Sequence, residues 1–120
     1  MLVKDVAKAR PFEAGDGSLL RELLHPDRDG EGLGYSLAHA TVRPGERTRA
    51  HTLSKNEVYY VVEGRGIVHV GAEQEHVRAG HSVHIPPGTA QWIENAGDGD
   101  LVFLCIVSPP WTPECEEVRE

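Results

Sequence analysis

Residues 44–66 read PGERTRAHTLSKNEVYYVVEGRG, and residues 80–95 read GHSVHIPPGTAQWIEN. The run Val58-Tyr59-Tyr60-Val61-Val62 is short, rich in β-branched and aromatic residues, and closed by Glu63-Gly64-Arg65-Gly66. It therefore reads as a strand over 57–62 that turns into a second strand over 66–71. The pleat puts Glu57, Tyr59 and Val61 on one face, which is expected to point inward. In the later stretch Pro86-Pro87-Gly88 separates a strand over 81–86 from one over 90–95, because Pro presets φ and Gly reaches positive φ.

The same punctuation continues outward from these two stretches. Residues 34–43 and 101–107 read as strands, with further ones expected near 2–6, 18–25, 47–53 and 75–78. Turns fall at Arg43-Pro44-Gly45 and Asn95-Ala96-Gly97-Asp98-Gly99, and Pro26 to Gly34 reads as a polar loop. No long helical period, internal repeat or low-complexity tract is present, so the class is all-β, an antiparallel sandwich or barrel. Over 33–42 the bulkier odd positions, Leu33, Tyr35, Leu37, His39 and Thr41, are expected to face inward, which would bring His39 inside. The strands 58–62 and 101–107 are apolar on both faces, so one face must meet something other than the barrel interior, and a second copy of the chain is the expected partner.

A chain of 120 residues has the usual size of one domain, 1–120, and can bury a sufficient core alone. Its 12 Lys and Arg are scattered and outnumbered by 19 Asp and Glu, giving a net charge of -7 that argues against a nucleic-acid partner. No apolar stretch is long enough for a signal peptide or a membrane span, so the expectation is a cytoplasmic protein with no membrane partner. Cys105 and Cys115 form no disulfide framework and are read as reduced thiols, Cys105 within the core.

The spacing in the two quoted stretches resembles the two sequence motifs of the cupin superfamily. The first motif is Gly, five residues, His, one, His, three or four, Glu, six, Gly, and Gly45, His51, Glu57 and Gly64 fall in register with it. The second is Gly, five residues, Pro, one, Gly, two, His, three, Asn, and Gly80, Pro86, Gly88 and Asn95 match. Eight of ten signature positions therefore agree across a 15-residue gap, where chance offers roughly one in twenty per position. The motif core spans 45–95. The resemblance implies a double-stranded β-helix, or jelly-roll barrel, and looks like the small one-barrel proteins often labelled mannose-6-phosphate isomerase-like. It also implies a homodimer, since cupins commonly pair through one sheet.

Metal-binding cupins place two His and one Glu in the first motif and one His in the second. Here those positions hold His51, Leu53, Glu57 and Gln91, so two ligands are altered. Leu53 coordinates nothing, whereas the amide oxygen of Gln91 is a hard neutral donor. The resemblance thus implies a site of His51, Glu57 and Gln91, with the inward-facing His39 as a fourth ligand, for divalent Mn, Fe, Ni or Zn. The competing expectation is a metal-free polar pocket with Glu57 hydrogen-bonded to Tyr59 or His51. Arg47 and Arg49 share parity with His51 and are candidates for holding an anionic group at the rim. His69, His76, His81 and His84 are read as surface residues, Trp92 as facing away from Gln91, and Trp111 as closing the barrel mouth.

The fold does not fix the reaction. Two functions follow from the resemblance: a metal-dependent enzyme acting on a sugar or organic acid, or a barrel that holds a small ligand without turning it over.

Overall fold

The computed structural model describes residues 1–120, and eleven strands form two antiparallel sheets packed face to face. In chain order the strands are β1 (Phe12–Glu13), β2 (Leu19–Leu24), β3 (Ser36–Val42), β4 (His51–Leu53), β5 (Asn56–Glu63), β6 (Arg65–Val70), β7 (Glu73–Arg78), β8 (Ser82–Ile85), β9 (Gln91–Asn95), β10 (Leu101–Ser108) and β11 (Glu116–Val118). One sheet runs β1-β2-β3-β10-β5-β8 and the other β11-β4-β9-β6-β7. Neighbours distant in sequence pair within each sheet, which is the jelly-roll arrangement the two motifs imply. No helix is long and apolar enough to cross a membrane.

Between the sheets lies a core of Ala40, Val42, Tyr59, Val61, Val68, Val77, Ile85, Ile93, Leu101 and Phe103. Register explains its composition. Phe103 on β10 stands opposite Ala40 on β3 and Val61 on β5, and Leu101 stands opposite Val42, so large and small side chains alternate across the inner face. Tyr59 and Phe103 meet at 4.7 Å between ring centroids, tilted by 45°.

The inward expectation for the odd positions of β3 is corrected here. Ser36, Ala40 and Val42 are buried, and His39 pairs in register with Arg21 and Leu104 on the outer face. β3 runs between β2 and β10, whose Leu20, Phe103 and Leu101 already fill the interior, so only small side chains fit behind them.

Three segments differ from the sequence reading. Residues 2–6 form no strand. A single 3-10 turn occupies Val6–Lys8, and Arg21 Nη1 donates to the carbonyls of Val6 and Ala9, tying this segment over the outer face of the first sheet. The loop after His25 contains one helical turn, α1 (Pro26–Asp29), because Pro26 presets φ and the His25 ring accepts the Asp27 N–H. The tail beyond Pro109 returns to the barrel as β11, pairing Glu116 with Leu53 and Val118 with His51.

Candidate functional site

His51 and Gln91 are register partners on β4 and β9, and Glu57 on β5 faces them across the barrel. The turns position them. Gly88 donates its N–H to the Leu53 carbonyl at 2.7 Å, bringing the loop that carries Gln91 beside β4. Asn95 donates to the carbonyls of Val42 and Gly99 and accepts from Gly97 N–H, which closes the turn after β9. Thr48 accepts the Ile93 N–H through its hydroxyl and donates its own N–H to the Ile93 carbonyl, locking the chain just before β4 against β9.

His51 is buried, and its Nδ1 faces the Arg49 carbonyl at 2.7 Å. That hydrogen bond places the ring proton on Nδ1, so Nε2 carries the free lone pair into the interior. The nearest charged partner of Nε2 is Asp16 Oδ2, at 3.9 Å, beyond hydrogen-bond distance. Glu57 is 5% exposed, and its Oε1 has no hydrogen-bond partner. Gln91 is fully buried. Its Oε1 accepts the Tyr59 hydroxyl at 2.5 Å, while its Nε2 is unpartnered. Neither Tyr59 nor His51 therefore satisfies Glu57; Tyr59 bonds Gln91 instead.

Burial pushes the Glu57 carboxyl up to about 8. The neighbouring Gln91 amide works against this, and the charges of Asp16 and Glu116 reinforce it. Glu116 on β11 is also raised, chiefly by burial and by Asp16, against the opposing pull of His51 and Trp111. Cys105 lines the same pocket, and burial with the Glu57 charge beside it pushes its thiol up, which makes it an inert core thiol.

The cavity beside His51 and Glu57 has a volume of about 160 Å³, and Asp16, Glu116, Trp111 and Phe12 are also among the residues that line it. Trp111 thus lines the cavity. Sequence reasoning missed Asp16 and Glu116, which enter from the two ends of the chain. Only the burial of an acidic tail residue against β4 reveals the second of them.

The other sequence-predicted residues are placed elsewhere. His39 lies on the outer face, where burial lowers its pKa and the nearby Arg21 adds to the effect, so it joins no inner site. Leu53 is 3% exposed and occupies its ligand position with an apolar side chain. Arg47 stacks over Trp92 at 4.7 Å on the outer face of the second sheet and bonds Glu120, and Arg49 donates to the Gly15 carbonyl; neither lines the cavity. His76 and His84 are exposed, while His69 is half-buried, stacked on Trp92 at 3.5 Å.

No three His, Cys, Asp or Glu side chains converge in a metal-holding cluster. The inner donors nevertheless fit a divalent ion: an imidazole with Nε2 free, a buried carboxylate oxygen without a partner, and an amide oxygen with one lone pair still open. His51, Glu57 and Gln91 would hold it. A bound divalent ion supplies Lewis-acid polarisation of a carbonyl or hydroxyl.

Comparison with known proteins agrees with this architecture. The cupin domain family matches residues 38–107. An uncharacterized protein of Methanocaldococcus jannaschii is 40% identical over 114 residues, 94% of this chain and 90% of that protein. Among solved structures, a predicted oxalate decarboxylase of Thermotoga maritima superposes with a TM-score of 0.80 at 22% identity, over 90% of this chain and 99% of its own. Bacillus subtilis oxalate decarboxylase, which has Mn(II) centres, superposes with a TM-score of 0.81 at 21% identity, over 94% of this chain and 30% of its own. These likenesses carry the family and the fold, and not the narrower mannose-6-phosphate isomerase-like label. The chain belongs to the cupin family.

Proposed function

We propose that this chain is a small cytoplasmic metal-binding cupin that acts on a small polar molecule in the cavity, with His51, Glu57 and Gln91 as its metal ligands. One observation carries the reading: His51 is fixed by the Arg49 carbonyl with Nε2 turned into the barrel, beside a buried Glu57 oxygen that has no other partner. An unpaired buried carboxylate is costly, and a divalent cation removes that cost. The Mn(II) centres of the structurally similar Bacillus subtilis oxalate decarboxylase make Mn the first metal to test.

Titration calorimetry with MnCl2 tests this directly. His51→Ala should lower Mn affinity more than Gln91→Ala, since imidazole is the stronger donor. Equal affinities in the wild type and both variants would contradict the assignment. A second reading, a metal-free barrel that holds a ligand without converting it, is favoured by the Tyr59 hydroxyl already bound to Gln91 Oε1 and by Leu53 at the second His position.

A further inference from the structure

We infer that the ligand of this cavity is a small organic cation, an ammonium or amidinium with a compact apolar body, held by Asp16 and Glu116 in its wall. The inference deepens the proposed function and rests on this cavity being the site. Three carboxylates, Asp16, Glu57 and Glu116, border the cavity, and no Lys or Arg side chain lines it. A divalent ion at His51 and Glu57 balances only part of that charge, so the interior stays negative even when loaded.

An acidic wall alone would be a solvated surface, but one buried acceptor in this one has no partner. Glu57 lines the cavity, is 5% exposed, and its Oε1 lacks a hydrogen bond. Asp16 is arranged for a ligand as well. Its Oδ1 is held by the Ser18 N–H and hydroxyl, at 3.0 and 2.7 Å, which leaves Oδ2 directed at the site. Charge-assisted hydrogen bonds from an ammonium group match these acceptors, whereas an anionic acid would face repulsion from Asp16 and Glu116.

The remaining walls choose between an organic cation and a second metal ion. Phe12, Leu20, Val107 and Trp111 offer apolar and aromatic surface, which an ammonium-bearing molecule uses through burial and cation–π contact and a hydrated metal ion does not. A cavity of about 160 Å³ has the volume of roughly five water molecules, enough for a compact ligand only.

The test compares butylammonium chloride with its near-isosteric anion, sodium butyrate, and with sodium oxalate, on the full chain at pH 7. Each is titrated by calorimetry into EDTA-stripped protein and into Mn-loaded protein. Butylammonium should bind about tenfold or more tightly than butyrate, and Asp16→Asn and Glu116→Gln should each weaken it several-fold while leaving butyrate no weaker. Binding of butylammonium should also weaken with added salt, a readout that needs no variant. Preference for butyrate or oxalate, or cation binding unchanged in both variants, overturns the inference. Binding of none of the three overturns it too, and saturable Mn binding in the same samples then leaves the metal assignment standing.

Discussion

Replacing Glu57 with Gln separates the cost of the buried carboxylate from its use. The folded carboxyl titrates at about 8 against an ordinary 4.5, so between these values the native state keeps a proton that the unfolded chain has released. Unfolding free energy must therefore fall as pH rises through that window, by up to about 1.4 kcal/mol per pH unit. From pH 4.5 to pH 7 the loss reaches about 3 kcal/mol, and water entering the cavity reduces it. The amide introduced by Glu57→Gln does not titrate, and its oxygen can accept from the unpartnered Gln91 Nε2. Urea unfolding of both proteins in EDTA, at pH 5, 6, 7 and 8, should give a wild-type stability that declines relative to Glu57→Gln across the series. Titration of Glu116 and His39 is common to both and cancels in the difference to first order. Adding Mn should reverse the order near pH 8, because the metal binds the carboxylate and not the amide. Parallel pH curves in EDTA would refute the burial argument.

Leu53→His with Gln91→His should tighten Mn binding about tenfold or more, since two imidazoles complete the family's usual ligand set on inward-facing positions of β4 and β9; calorimetry showing no gain in a folded variant would mean that these positions do not face the metal. Val58, Tyr60 and Val62 share an outer face with Leu104 and Ile106, and Tyr60 and Val62 are 43% and 48% exposed. Light scattering should accordingly give about twice 13.2 kDa for the wild type and a monomer for Val62→Glu, whereas a monomeric wild type would show that this face stays open to solvent. Gly64→Ala should cost about 2 kcal/mol or more in thermal or urea unfolding, because its Cβ would strike the Asp100 carbonyl at a φ of +82°. Gly45→Ala, at +81° with nothing within 4 Å, should cost only about 1 kcal/mol, and equal losses would contradict the steric argument.

The fold was legible because its signals are local. Gly64, Gly88 and Asn95 each perform a turn that their spacing announces, and the parity of Glu57, Tyr59 and Val61 follows from one uninterrupted strand. The parity of β3 was not legible in this way. Side-chain bulk pointed His39 inward, but the interior is already filled by Phe103 and Leu101 on the neighbouring strand, a fact that exists only after strands distant in sequence have paired. The same limit applies to the site. His51, Glu57 and Gln91 lie within one motif-bearing stretch, whereas Asp16 and Glu116 come from loops and tails without periodicity and meet only through the β11–β4 pairing. The bond from Tyr59 to Gln91 likewise depends on contact between sheets, which no spacing encodes.

The central claim, a divalent metal in the barrel, is tested most directly by metal content. Protein stripped with EDTA, reloaded separately with Mn, Fe, Ni, Co and Zn, and freed of excess metal should retain close to one equivalent of at least one of them by plasma mass spectrometry. Retention should fall sharply in His51→Ala. Content well below one equivalent for all five metals in folded wild-type protein would contradict the account.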